Sequence, residues 1–386
     1  MDPILTAQEF ADHTRRAAGV AAANDLDAIL VFSTESEPAG VRYFSDYWPS
    51  FETAGVLICA DGSSALIIGP ESLTYASART RIKTVIQTMD FRESSQPDYP
   101  GSTHPDWKTI FSRFNIKRLG ISGWHMFPHS IMANIANTLG GMDNVVCADA
   151  IIRQLFMTKS PLELECLRRC AKISELGFKA VLENIRPGMT EAELCGIATA
   201  AMLANGAEST GYPVWCCSGT NSTQAISRPS LKKVRCGEMI HFSIGAKLEG
   251  YSTSIGRPVV LGKCPDEMRK FMQTGLDALN MLFDEMRAGR AAGEVAARIH
   301  GYITQCGYGK AILYGPAHGC GQMECEFPFL ETSSTYTLTE NMTFMGDIFL
   351  NHGEYGCRWE DGLIVRADGA AEQLSSYGRR LNILEV

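Results

Sequence analysis

The order of elements in the second half of the chain constrains the fold most. Ser160 precedes Pro161 and stands three residues before Glu163; Thr190 stands three before Glu193. Each pair has the form of a helix start in which a cap hydroxyl and a carboxylate answer each other's backbone N–H groups, with Pro161 suited to the first turn. Behind the first cap, Leu164, Leu167, Cys170, Ala171, Leu176 and Val181 fall on one helical face. Strands follow around YPVWCCSG and through MIHFSIGAKLEGYSTSIGRPVVLG (239–262), then helical segments over 265–288 and 291–306. The β segments MTFMGDIFLN (342–351) and GCRWEDGLIVR (356–366) close the chain. Helix pair, strands, helix pair, strands is the pattern of a duplicated α/β unit, although the two copies share no repeated sequence.

The first half reads differently. Phe10, Thr14, Ala17, Ala18 and Ala21 share a face of a helix over 5–24, and LDAILVF (26–32) is a short buried strand. AGVLICADGSSALIIG (54–69) is a hairpin with Asp61-Gly62 near its turn. Strand and helix segments alternate to about residue 150, with helices near 104–114 and 126–139, as in an α/β domain built on one sheet. A chain of 386 residues is long enough for two cores. The segment Ile151–Pro161 is the expected junction, giving domains over 1–155 and 156–386.

Composition narrows the function classes. A net charge of −8 without a Lys/Arg stripe gives no nucleic-acid footprint. The longest apolar runs are too short to span a bilayer. The start MDPILTAQEF has neither the basic nor the apolar region of a secretory signal, so a cytoplasmic protein is expected. The thirteen cysteines are odd in number and include no C-x-x-C pair, which suits reduced, mostly buried thiols. Cys216 and Cys217 adjoin, but the sequence shows no base to activate either one.

Chemistry concentrates in YGPAHGCGQMECE (314–326), where His318 lies among glycines that allow close backbone approach. Glu324 and Glu326 follow, the former expected in solvent; Asp347, Glu360 and Asp361 come from the later β segments. Asp347 stands in an apolar strand, where a lone acid is costly to bury without a partner or ligand. One histidine with carboxylates from several strands suits either metal binding or acid/base work.

These motifs, taken in order, resemble the creatinase/aminopeptidase P/prolidase family of pita-bread proteins. TKSPLELECLRRCAKISELGF and RPGMTEAEL look like its first two helices, and the 239–262 segment like its central hairpin. HGCGQMECE, ENMTFMGDIF and RWEDGLIV look like its three later motifs. The resemblance implies an α/β (α+β) chain: a pita-bread catalytic domain after a smaller α/β domain of the creatinase type.

Metallo members hold two divalent ions with two Asp, one His and two Glu. Carried onto this chain, those positions are Ser243, Ser254, His318, Asp347 and Glu360. The formal charge of the set falls from about −4 to about −2, and serine hydroxyls are poor ligands beside carboxylates. The resemblance therefore implies no metal cofactor, leaving one divalent ion on His318, Asp347 and Glu360 as the remaining metal arrangement. Two further histidines of the family peptidases fall on Ile226 and Cys325. The expected function is thus a creatinase-like hydrolase that cleaves a non-peptide C–N bond of a small polar compound, an amidine or guanidine.

In that reading His318 is the acid/base, with Glu326, Asp347 and Glu360 as the other catalytic groups. Trp215, Ser243, Tyr251, Ser254 and Arg358 line the substrate. Phe51 and Glu52, beside Tyr47 and Trp48 on a lid loop, offer an aromatic wall and a carboxylate to a cation. Arg257 is a second guanidinium able to bind a substrate carboxylate. The resemblance also implies a homodimer, with the lid loop near the partner's site, acting on a small molecule and on neither nucleic acid nor membrane. Two alternatives stand beside it: an Xaa-Pro metallo-aminopeptidase or prolidase with an altered metal site, and a catalytically inactive binding protein.

Overall fold

The computed structural model describes residues 4–385, and the chain divides into two compact units, Met1–Phe156 and Met157–Val386. In the first, α1 (Ala7–Ala23) starts at Thr6, whose side chain accepts from the Glu9 N–H, and buries Phe10, His13, Ala17, Ala18 and Ala21. Six strands form one sheet: β1 (Ala28–Ser33), β2 (Ala54–Cys59), β3 (Ser64–Ile68), β4 (Val85–Gln87), β5 (Leu119–Ser122) and β6 (Val145–Cys147), in the order β4-β3-β2-β1-β5-β6. The hairpin β2–β3 pairs Ala54 with Ile68, and Gly62 takes the positive φ of +88° that its tight turn requires. The helices α2 (Ala39–Ser45), α3 (Leu73–Arg79), α4 (Trp107–Phe114), α5 (His129–Thr138) and α6 (Asp149–Met157) alternate with these strands. Two apolar clusters, one around Phe32, Phe91 and Trp107 and one around Val31, Tyr43 and Phe44, fill the unit.

The second unit opens with α7 (Pro161–Asn184) and α8 (Glu191–Ala204), each begun by a complete capping box, Ser160 with Glu163 and Thr190 with Glu193. Leu176 leaves the expected buried face of α7 and is 41% exposed. Short strands β7 (Ser209–Thr210) and β8 (Trp215–Ser218) lead to the long pair β9 (Met239–Leu248) and β10 (Tyr251–Leu261). A second helix pair, α9 (Asp266–Glu285) and α10 (Ala292–Gln305), precedes β11 (Ala317–Gly319), β12 (Glu326–Leu330) and a second long pair, β13 (Thr343–Asn351) and β14 (Gly356–Ile364). The sheet runs β12-β11-β13-β14-β10-β9-β7; β8 pairs with β9, and β15 (Glu372–Gln373) and β16 (Asn382–Leu384) pair with β14 and β10.

Each helix pair therefore covers one long strand pair. Phe178, Leu194 and Met202 of α7 and α8 join Phe242 and Val259 in one core, while Phe271, Leu279 and Ile299 of α9 and α10 join Phe344, Trp359 and Leu363 in another. The halves meet where β10 pairs with β14, Gly256 opposite Glu360. A side chain at Gly256 would place its Cβ 2.6 Å from the Glu360 Cβ, so glycine is what lets the central strands close. Among the described residues no helix is long and apolar enough to cross a membrane.

Candidate metal centre

The register of β13 and β14 builds the site. It sets Asp347 directly opposite Glu360. Two acids facing each other across a ladder repel, so a positive charge is needed nearby. The alternation of β14 supplies one: Arg358 shares a face with Glu360, and its Nη1 lies 2.7 Å from Asp347 Oδ2 and 3.8 Å from Glu360 Oε1. On the opposite face, Asp361 pairs with buried Arg257 at 2.5 Å and Trp359 donates from Nε1 to the Met272 carbonyl. The expectation that Arg257 could hold a substrate is corrected by this closed core pair.

His318 enters from β11, pairing with Met345 of β13, and the register against β12 shifts at His318/Gly319. A Cβ on Gly319 would lie 2.8 Å from the carbonyls of Glu326 and Phe327, so this close approach needs glycine. The His318 Nδ1 bonds the Gly319 carbonyl at 3.1 Å, which leaves Nε2 for a ligand. Burial opposes charge on this imidazole. The hydrogen bond and charge of Cys325 and the acids Asp347 and Glu360 outweigh it and push the group up to about 9.

Ser243 and Ser254 lie on the facing strands β9 and β10. Ser243 Oγ donates to Glu360 Oε2 at 2.6 Å and meets the Tyr212 hydroxyl at 2.5 Å; Ser254 Oγ donates to Glu324 Oε1 at 2.9 Å. Burial and the neighbouring Glu324 push the Glu360 carboxyl up to about 7, against the pull of Arg358, Ser243 and His318. Burial likewise raises Asp347 and Glu324. The Tyr314 hydroxyl donates to Asp347 Oδ2 at 2.7 Å, and burial first, then Asp347, keeps that phenol protonated. The Arg358 guanidinium lies 5.5 Å from the Trp215 ring centre, which makes Trp215 a wall of the site.

The sequence reading needs correction at several residues. Glu326, expected among the catalytic acids, pairs with buried Lys159 at 2.6 Å. Tyr251, expected to line substrate, is buried with its hydroxyl on Glu163 Oε1 at 2.5 Å, tying β10 to α7. Glu52 is buried in the first unit, where it accepts from the Glu71 and Ser72 N–H groups and the Ser72 hydroxyl; its carboxylate is not available to a cation there. Phe51 of the same loop is 80% exposed. Glu324 shows the reverse: expected in solvent, it is buried beside Glu360. No periodicity marks it, because it lies in the irregular segment ahead of β12; its partner Ser254 is the only signal, and that lies far off in sequence. Burial pushes the Cys217 thiol up to about 11, which favours the neutral thiol over the thiolate. All thirteen cysteines are free thiols.

His318, Asp347 and Glu360 offer ligand atoms within 4.8 Å of one another. Asp347 Oδ1 is buried without a hydrogen-bond partner, a costly state that a cation would relieve. An imidazole with carboxylates suits a first-row divalent ion. The three side chains thus fit one such cation.

Two strand pairs with a helix pair each, and an imidazole–carboxylate cluster at their junction, define a chain of the pita-bread class preceded by a smaller α/β domain. Residues 165–367 match the model of metallopeptidase family M24, more than half of the chain, and the chain belongs to that family. It is 25% identical over 364 residues to an Xaa-Pro dipeptidase of Pyrococcus furiosus, covering 93% of this chain and 96% of that protein. It is 29% identical over 236 residues to an Xaa-Pro dipeptidase of Lactobacillus delbrueckii subsp. lactis, covering 60% and 63%. The crystal structure of an X-Pro aminopeptidase from Thermotoga maritima superposes with a TM-score of 0.84 at 24% identity, covering 96% of this chain and 99% of that one.

These likenesses overturn two expectations. A creatinase-like cleavage of a non-peptide C–N bond gives way to the peptidase alternative, since the relatives are named Xaa-Pro dipeptidases. The expectation of no metal cofactor gives way as well: the family is one of metallopeptidases, and the cluster at His318 has the ligands for an ion. Ser243 and Ser254 stand where the resemblance puts the two aspartates, and the three other positions of that set, His318, Asp347 and Glu360, are the ones whose ligand atoms come together.

Proposed function

We propose that the chain hydrolyses the peptide bond of short Xaa-Pro peptides with one divalent cation held by His318, Asp347 and Glu360. The observation that carries this reading is the convergence of those three side chains within 4.8 Å, with the buried Asp347 Oδ1 unpartnered. A divalent cation in that position supplies the positive charge that polarises a scissile carbonyl and an attacking water.

The chain's own groups do the remainder. The Gly319 carbonyl holds His318 with Nε2 presented. Tyr314 and Arg358 both bond Asp347 Oδ2 and fix the carboxylate plane. Ser243 donates to Glu360 Oε2 and Ser254 to Glu324 Oε1, and these hydroxyls orient the two carboxyl groups. Arg358 also donates from Nη2 to the Ala225 carbonyl at 2.6 Å, which ties the segment after β8 to the site.

Release of free proline from Xaa-Pro dipeptides, measured with added Mn²⁺, Co²⁺ or Zn²⁺ and again after chelation, tests the proposal. Turnover that appears with metal and disappears with chelator is the expected result. Undiminished turnover after complete metal removal would contradict it.

A further inference from the structure

The metal-free charge balance of the site is unusual on its serine side. Ser243 and Ser254 are neutral, yet each donates its hydroxyl to an acid, Ser243 to Glu360 and Ser254 to Glu324. Glu324 is 9% exposed and reaches the site from the irregular segment before β12, so its carboxyl is removed from water. Ser254 and Glu360 are the hydrogen-bond contacts of that carboxyl, and Asp347 adds a second repelling charge. One hydroxyl offsets little of the cost of such a buried acid. The Arg358 guanidinium acts on it electrostatically, but its Nη1 and Nη2 are already engaged by Asp347 and the Ala225 carbonyl. The unpartnered Oδ1 of Asp347, which is 3% exposed, leaves a second unmet demand for positive charge in the same space.

We infer that Glu324 is a further cation-holding side chain of this centre, presented by Ser254 and adding a carboxylate to His318, Asp347 and Glu360. The inference rests on the proposed metal-dependent reading and deepens it. With Glu324 included, the formal charge of the acids is about −3; the Arg358 guanidinium on Asp347 and Glu360 offsets one of these charges and leaves about −2 to balance a divalent ion. The hydroxyls of β9 and β10 then act as outer supports: Ser243 holds Glu360, Ser254 holds Glu324, and Tyr212 backs Ser243. Such supports orient ligands without touching the ion.

Co²⁺ binding to the purified full chain, by equilibrium dialysis and visible absorption, provides the test with no reliance on turnover. Glu324→Gln keeps side-chain size and is expected to weaken Co²⁺ binding by about tenfold or more and to alter the absorption bands. Ser254→Ala, which keeps the carboxylate but removes its support, is expected to weaken binding less, and it serves as the second variant where Glu324→Gln fails to fold. Glu326→Gln, away from the cluster on Lys159, is expected to leave affinity and spectrum unchanged. Wild-type affinity and spectrum in folded Glu324→Gln, or in Ser254→Ala where it alone folds, would overturn the inference while leaving the three-residue site intact. A wild-type chain that binds no Co²⁺ would overturn the metal-dependent reading and this inference together.

Discussion

The two long strand pairs of the second unit have the same architecture and opposite chemistry. β13–β14 brings Asp347, Arg358 and Glu360 to the site, whereas β9–β10 brings Ser243 and Ser254. Each pair is covered by its own helix pair and filled by its own apolar core. The difference teaches that the cores are maintained independently of what the site face carries: alternate residues of one strand pack a core while their neighbours change role. β14 shows this within three positions, where Arg358 and Glu360 face the site and Trp359 lies fully buried among apolar side chains.

Breaking the core side should cost stability and spare the chemistry. Asp361→Ala leaves Arg257 buried without its partner, and a loss of about 3–5 kcal/mol in denaturant unfolding is expected, with Co²⁺ affinity unchanged where the variant folds. Breaking the acidic side of the site should do the opposite: His318→Ala is expected to lower turnover by about 10²-fold or more with little change in unfolding. The serine side should respond more weakly, with Ser243→Ala reducing metal affinity by about tenfold through the freed Glu360. A loss of Co²⁺ affinity in Ser243→Ala as large as the loss of Co²⁺ affinity in His318→Ala would break the distinction between ligand and support.

The smallest expected effect is on pH dependence of the metal-free chain. Glu360 moves from 4.5 to about 7 and His318 from 6.5 to about 9 on folding. Both hold protons more tightly in the folded state, so stability is greatest below the unfolded values and is lost as pH rises through each window. The melting temperature without metal should therefore fall across that range. Added Co²⁺ should raise it more at the alkaline end, because the ligands must lose their protons to bind. A metal-free melting temperature that rises over the same range would contradict the placement of Glu360.

Much of the fold was legible because its signals are local. The capping boxes at Ser160 and Thr190 and the apolar runs of β9, β10, β13 and β14 fix elements within a few residues. His318, Asp347 and Glu360 were legible as a set because each stands in its own strand motif. Glu326, Tyr251 and Glu52 were misread because what engages them, Lys159, Glu163 and the backbone at Glu71–Ser72, is brought in only by folding. Glu324 was missed for the same reason, through Ser254.

Diffraction from crystals soaked in Mn²⁺, with data collected to reveal its anomalous scattering, tests the central claim most directly. The account predicts one peak bounded by His318, Asp347 and Glu360, with Glu324 turned towards it from Ser254. A Mn²⁺-soaked crystal with no peak there, and with Arg358 still closing Asp347 and Glu360 together, would contradict it.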